Sequence, residues 1–121
     1  MINAKIAVVG SRNYTNYKYI SKILYDYQRK FGVGFVISGG AKGVDTLAEK
    51  WAKDAQIFGF TVYNAQWTKY GKRAGPQRNL LIAESCDVMI AFPSKDSKGT
   101  RNAIKQAKKL DKKVYIFEVE I

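Results

Sequence analysis

Five short apolar runs separated by amphipathic segments constrain the fold of this chain more than any other feature. The runs lie at Ala4–Val9, Gly34–Ser38, Phe58–Tyr63, Asp87–Phe92 and Val114–Phe117. Each run is almost continuously apolar, which is typical of strands that are buried on both faces. Between the runs, apolar residues recur at spacings of three and four, as in the helix predicted from Tyr17 to Phe31. The pattern predicts a three-layer α/β sandwich, with a central parallel sheet of about five strands and helices on both faces.

The same spacing predicts three further helices, at Val44–Ala55, Pro76–Ser85 and Gly99–Leu110. Pro76 is expected at the first helical position, where its missing N–H would have had no partner. Residues 64–75 have no clear period, and we expect a long loop of the kind that often carries function. Trp67 and Tyr70 lie in it and either stack on a base or belong to a satellite of the core. With 121 residues, one domain over residues 1–121 is expected.

The composition excludes several kinds of chemistry. The chain has no histidine and one cysteine, so Ser-His-Asp and Cys-His catalysis are absent and a zinc site is disfavoured. We expect no metal and no cofactor. Cys86 lies among apolar residues and is expected to be a small buried side chain instead of a catalytic thiol. The single cysteine and the lack of a long apolar run favour a reducing, cytoplasmic setting.

The formal charge of +11 is concentrated in parts of the chain. The segment from Lys95 to Lys113 contains eight basic residues and only two acidic ones. A basic field of this size favours anionic partners, such as nucleotides, nucleic acids or acidic proteins. The alternative is a solvated lysine-rich face on the last helix.

Three loops follow predicted strands at the sheet edge where ligands bind in parallel α/β proteins. They are Gly10–Arg12, Ser38–Asp45 with the sequence SGGAKGVD, and Pro93–Thr100. The second and third lead into helix N-termini, where backbone N–H groups can bind phosphate. The spacings G-x-x-x-x-G-K-[ST] and G-x-G-x-x-G are absent, which disfavours a P-loop NTPase or a standard NAD dehydrogenase. Tight packing of the backbone remains the alternative explanation of the glycines.

The polar side chains near these loops allow two interpretations each. Ser11 and Arg12 either contact a ligand or cap the chain locally. Asp45 either accepts hydrogen bonds from a ribose or caps its helix. Arg78 either binds a phosphate or pairs with Glu84, and the basic loop before it favours the phosphate.

Four motifs in order resemble the SLOG superfamily, and more closely its small single-domain branch found in bacteria and phages. They are Val9-Gly10-Ser11-Arg12, the SGGAKGVD segment, Gly75-Pro76-x-Arg78-Asn79, and Ala91-Phe92-Pro93 followed by Gly99-Thr100. The resemblance covers nearly the whole chain and implies a Rossmann-like fold with a nucleotide or ADP-ribose-like pocket. The expected ligand-binding residues are Gly10, Ser11, Arg12, Ser38, Gly39, Gly40, Lys42, Gly43, Asp45, Arg78, Asn79, Pro93, Lys98, Gly99, Thr100 and Arg101.

Relatives in that superfamily differ in activity. LOG phosphoribohydrolases cut the N-glycosidic bond of nucleoside monophosphates, DprA binds single-stranded DNA, and sensor domains bind NAD-derived nucleotides. The LOG enzymes carry a loop resembling P-G-G-x-G-T-x-x-E, and Ala103 stands here in place of the glutamate. The resemblance does not say which of these activities the chain has, and Asp45, Glu84 or Asp96 could replace the missing glutamate. Because nothing in the spacing indicates such a replacement, we expect a sensor or sequestering protein that binds a nucleotide, an ADP-ribose-like molecule or a cyclic nucleotide. The alternatives are a phosphoribohydrolase that uses Arg78, and a single-stranded nucleic-acid binder; a homo-oligomer is expected by analogy.

Overall fold

The computed structural model describes residues 4–121 and contains one five-stranded sheet. Its strands are β1 (Ala4–Gly10), β2 (Val33–Ser38), β3 (Gly59–Val62), β4 (Val88–Phe92) and β5 (Lys113–Ile116). The spatial order is β3-β2-β1-β4-β5, and every neighbouring pair is parallel. The helices are α1 (Tyr17–Phe31), α2 (Val44–Asp54), α3 (Trp67–Tyr70), α4 (Ala74–Ser85) and α5 (Lys98–Lys109). The predicted α/β, Rossmann-like fold with a parallel sheet is confirmed.

Alternate residues of the central strand β1 enter two separate cores. Ile6 and Val8 pack against α1 and α2, where Trp51 is completely buried. Ala7 and Val9 face the opposite way and pack against α4 and α5. Because each fully buried large side chain contributes roughly 1.5–3 kcal/mol, these two cores hold the helices on both faces of the sheet.

The ends of α1 show how local sequence sets a helix. The Asn16 side chain accepts a hydrogen bond from the Tyr19 N–H at 3.1 Å, which caps the first turn. At the other end Gly32 has φ = 82° and donates its N–H to the Gln28 carbonyl, and this left-handed conformation suits glycine. The helix predicted from its apolar spacing therefore has the predicted bounds.

Residues 64–75 differ from the predicted long loop. They contain α3, a 3₁₀ turn at Gly71–Arg73 and the first two residues of α4. Pro76 is consequently the third residue of α4 instead of the first. The missing N–H is still harmless, because no N–H of the first turn has an acceptor within its helix.

The strand order places a crevice at the carboxyl end of β1. From β1 the chain builds β2 and β3 on one side, and it then crosses to build β4 and β5 on the other. The loops after β1 and β4 diverge at this switch in direction, and ligands bind at such points in open α/β sheets. None of the helices among residues 4–121 combines the length and apolar character needed to cross a bilayer.

Candidate functional site

A cleft of about 340 Å³ opens at the switch point of the sheet. Three predicted loops and the start of α4 meet there. The lining residues are Val9, Gly10, Ser11, Arg12, Gly39, Ala41, Asp45, Arg78, Asn79, Ile82, Ser94, Asp96, Ser97, Lys98, Gly99, Thr100 and Ala103. The volume lies within the range that small-molecule sites usually have.

The loop after β1 forms the floor of the cleft. The Ser11 N–H donates to the Phe92 carbonyl and the Ser11 carbonyl accepts from the Val44 N–H, both at 3.0 Å. The Ser11 hydroxyl accepts a hydrogen bond from the Asn13 N–H at 3.2 Å, so it does cap its own turn. Ser11 is buried, whereas Arg12 is exposed at the rim of the cleft.

Asp45 organises the SGGAKGVD segment from inside. Its carboxylate oxygen Oδ2 accepts hydrogen bonds from the backbone N–H groups of Gly39 at 3.1 Å and Ala41 at 3.2 Å. The side chain does not cap α2. Burial raises the pKa of Asp45 to about 6, although the hydrogen bonds and the charge of Arg78 act in the opposite direction. Two N–H groups of the glycine-rich loop therefore already hold an anion, and that anion belongs to the protein.

The glycines of this segment make room for other parts of the chain. A Cβ on Gly39 would lie 2.6 Å from Nη1 of Arg78 and 2.9 Å from Oδ2 of Asp45. Gly40 and Gly43 have φ of 72° and 74°. A Cβ on Gly43 would also clash with the backbone that follows β1. Tight packing and positive φ thus require glycine at these positions, and Gly39 also lines the cleft.

Arg78 and Asn79 connect the loop after β2 with the start of α5. Arg78 Nη1 donates to the Gly39 carbonyl at 2.6 Å, and Arg78 Nε donates to Asn79 Oδ1 at 3.0 Å. The buried Asn79 amide donates to the Gly99 carbonyl and to Asn102 Oδ1, both at 3.1 Å. Burial lowers the pKa of Arg78, but an arginine stays charged in proteins. The partner of Arg78 is therefore the loop backbone and not Glu84.

The N-terminus of α5 faces the cleft without a side-chain cap. The hydroxyl of Ser97 accepts instead from the Ser94 N–H at 2.8 Å. Within residues 4–121, and apart from its chain neighbours and the backbone of its own helix, no heavy atom lies within 4 Å of a Cβ built on Gly99, so the start of the helix is open. The Lys98 N–H donates to the Asp96 carbonyl at 3.0 Å, whereas the N–H groups of Gly99 and Thr100 lack acceptors within the helix. Such groups carry partial positive charge, which attracts anions. Thr100 and Lys98 line the cleft beside them.

Several residues predicted for the site lie outside this cleft. Gly40 and Lys42 line a neighbouring depression. Ser38 is buried and donates to Glu49 Oε2 at 3.3 Å. Arg101 donates to the Ser94 carbonyl at 3.1 Å and to Glu118 at 3.2 Å. Pro93 and Gly43 line neither the cleft nor the depression.

Other residues line the cleft although the sequence did not single them out as ligand-binding. They are Val9, Ala41, Ile82, Ser94, Asp96, Ser97 and Ala103. Three of them, Ser94, Asp96 and Ser97, lie in the loop after β4. Their position in a loop that follows a strand could have predicted that they line the cleft. Asp45 and Asp96 are the two carboxylates of the lining. Within residues 4–121 no three acidic or cysteine side chains come together as ligands for a metal ion.

Comparisons with known proteins place these features in context. A model of the YspA, cpYpsA-related SLOG family matches residues 4–70, which run from β1 to the end of α3. The chain is 33% identical over 111 residues to the Gene 61 protein of Mycobacterium phage D29, covering 87% of this chain and 89% of that protein.

Two solved structures of DNA processing protein A (DprA) have the same fold. The protein from Streptococcus pneumoniae aligns over 94% of this chain with a TM-score of 0.75 and 21% identity. The protein from Helicobacter pylori, described for its single-stranded DNA binding mode, aligns over 93% with a TM-score of 0.70 and 20% identity. The chain spans 50% and 64% of those two proteins. At such identities the similarity establishes a shared fold.

Proposed function

This chain belongs to the YspA, cpYpsA-related SLOG family, and on that premise we propose that it binds a nucleotide or nucleotide-derived ligand without cleaving it. In this proposal residues 1–121 act as one binding domain of a sensor or sequestering protein. One observation carries the proposal: the uncapped N-terminus of α5 lines the same cleft as Arg12 and Arg78.

The positive groups of the cleft suit a phosphate. N–H groups at a helix N-terminus and a guanidinium both form charge-assisted hydrogen bonds with phosphate oxygens. Besides Arg12 and Arg78, Lys98 adds a third positive charge, and the Thr100 hydroxyl adds a donor. The apolar side chains of Val9 and Ile82 in the lining offer the sugar or base an apolar surface to pack against.

Ala103 and the engagement of Asp45 favour binding over hydrolysis, while Asp96 is the second carboxylate of the lining and is exposed. N-glycosidic cleavage needs a carboxylate that stabilises positive charge on the sugar or activates water. Ala103 contributes only a methyl group to the lining. The Oδ2 atom of Asp45 already accepts hydrogen bonds from two backbone N–H groups.

Thermal unfolding and calorimetry with AMP, ADP-ribose and cyclic AMP test the proposal. A ligand at 100 times its Kd adds about 2.7 kcal/mol to the free energy of unfolding, which raises the Tm measurably. Arg78→Ala is expected to weaken binding at least tenfold because it removes a guanidinium from the cleft. Arg29→Ala removes the same charge from an exposed pair with Asp26 and is expected to leave binding unchanged.

Two results would contradict the proposal. If none of the three ligands raises the Tm, the cleft is not a nucleotide site. If chromatography shows adenine released from AMP, the protein is a hydrolase, and loss of that release in Asp45→Asn or Asp96→Asn identifies the carboxyl that acts instead of the missing glutamate.

Single-stranded nucleic acid is the second candidate ligand. The +11 charge and the DprA-like fold favour it. Binding of a fluorescent oligodeoxynucleotide would then weaken steeply with salt, with a slope of log K against log salt of about −0.7 for each phosphate contacted. A salt-independent affinity, or none, would exclude this candidate.

A further inference from the structure

A second depression of about 380 Å³ adjoins the cleft, and we call it the Trp67 compartment. It is lined by Arg12, Gly39, Gly40, Ala41, Lys42, Asn64, Ala65, Trp67 and Arg78. Four of these residues, Arg12, Gly39, Ala41 and Arg78, also line the cleft. The two spaces therefore share a boundary, and both arginines lie on it.

Trp67 lines this compartment with a partly exposed aromatic side chain. It is 53% exposed, which is unusual for the largest apolar side chain in a small protein. One edge of its indole rests on α4, because a Cβ on Gly75 would lie 3.4 Å from Trp67 Cη2. The ring is thus held at its edge while about half of its surface remains accessible. Such a surface suits stacking with the flat face of a base.

The polar groups around the indole complete a nucleoside-sized site. Lys42 adds a positive charge beside the two boundary arginines, and no acidic residue lines the compartment. The Asn64 amide approaches Gly40 closely, so it lies at the wall of the compartment and offers both a donor and an acceptor to a base edge. The compartment therefore carries the groups that recognise a base and a phosphate.

We propose that the Trp67 compartment binds the second nucleoside of a ligand in which two nucleosides are joined through phosphate. The linking phosphate lies at Arg12 and Arg78, the second base stacks on Trp67, and the first nucleotide occupies the cleft. This inference rests on the proposed function, since the cleft must hold the first unit. A pyrophosphate-linked dinucleotide and a single-stranded nucleic acid both contain this chemistry.

The test compares the affinities of the intact chain for ligands that contain one nucleoside and for ligands that contain two, which we call one-unit and two-unit probes. The probes are AMP, diadenosine 5′,5′-diphosphate and the 5′-phosphorylated deoxyadenosine dinucleotide. At least one two-unit probe is expected to bind at least tenfold more tightly than AMP. Trp67→Ala is expected to remove about tenfold of that affinity, the size of one base-stacking contact, while leaving AMP binding within twofold. Phe58→Ala, at an aromatic that is 86% exposed and outside both spaces, serves as the matched control.

Tryptophan fluorescence gives an independent signal. Trp51 is completely buried, so quenching by a two-unit probe reports on Trp67, and Trp67→Phe is expected to abolish the quenching while keeping an aromatic ring in place. Preference for one two-unit probe over the other identifies the linkage between the two nucleosides.

If AMP binds but neither two-unit probe binds more tightly, or if Trp67→Ala changes nothing, this inference is overturned and the proposed function stands. If no probe binds, both fail together.

Discussion

Asp45 and Arg78 bind the same glycine from opposite sides. The Asp45 carboxylate accepts from the Gly39 N–H at 3.1 Å, and the Arg78 guanidinium donates to the Gly39 carbonyl at 2.6 Å. One side chain comes from α2 and the other from α4, so two helices fix one residue of the loop between β2 and α2. The loop is therefore ordered before any ligand arrives, and this lowers the entropy cost of binding.

Gly39→Ala is expected to destabilise the protein by about 1–3 kcal/mol, because its Cβ would displace both Arg78 and Asp45. Urea denaturation followed by circular dichroism measures the change. Gly99→Ala is the matched control, since in the described residues its Cβ meets no atom within 4 Å apart from its chain neighbours and the backbone of its own helix. The control is expected to be neutral or slightly stabilising, as alanine favours a helix. Equal losses in the two variants would contradict the role given to Gly39.

Asp45→Asn is expected to change how stability depends on pH. The native pKa of Asp45 is about 6 against an ordinary 3.8. Between these values the folded state binds more protons than the unfolded state. The free energy of unfolding of the wild type therefore falls as pH rises through this window, by up to about 3 kcal/mol. Because asparagine does not titrate, the stability of the variant relative to wild type is expected to increase from pH 4 to pH 7.5.

Asp54→Asn provides a control of opposite sign for this experiment. Asp54 is exposed and its pKa is lowered, chiefly by hydrogen bonds from Tyr17 and then Lys50. A lowered pKa stabilises the folded state at neutral pH and loses that effect as pH falls. The Asp54→Asn variant is therefore expected to lose stability relative to wild type as pH rises. Parallel curves for the two variants would refute the assignment of the Asp45 pKa.

Asn79→Asp is expected to lower the free energy of unfolding by about 1–3 kcal/mol. The reason is that an oxygen would replace the amide NH₂ group that donates to the Gly99 carbonyl and to Asn102 Oδ1. Asn102→Asp makes the same chemical change but keeps an oxygen acceptor for Asn79, and is expected to cost much less. Thermal unfolding of both variants measures the difference. A larger loss in Asn102→Asp would argue against the connection through Asn79.

Cys86 is expected to resist alkylation in the native protein. The thiol is buried and its pKa is raised by that burial, so the reactive thiolate is scarce. Mass spectrometry after iodoacetamide treatment at pH 8, with and without urea, measures the rate. We expect fast reaction only in urea, and a native rate equal to that of a free thiol would show that the side chain is accessible.

Local patterns predicted the elements of the fold because burial imposes them. A strand such as β4 is apolar throughout since both of its faces are covered, and α1 shows its buried stripe at helical spacing. The short α3 was not predicted, because four residues are too few to show a period. The SGGAKGVD segment was located correctly at the end of β2, as the strand order requires.

The roles of single side chains depended on contacts that no local pattern contains. Asp45 bonds backward to Gly39 because two glycines turn the chain through positive φ, which the sequence permits without requiring. Arg78 and Gly39 are 39 positions apart, and Arg101 and Glu118 are 17 apart. Such pairs become visible only once the sheet has brought the loops together.

The central position of β1 has a consequence for how the cleft forms during folding. In β1, Ala7 pairs with Ile37 of β2 on one side and with Met89 of β4 on the other. The pairing of β1 with β4 therefore closes a much longer loop of chain than the pairing of β1 with β2. Long-range parallel pairings form slowly, because loop closure costs entropy before contacts compensate for it. Gly39 and Asp45 follow β2, whose pairing with β1 we expect to form first, whereas Gly99 and Thr100 follow β4, whose pairing we expect to form later. A ligand that contacts both pairs of residues therefore recognises only the completed fold, and it acts mainly by slowing unfolding.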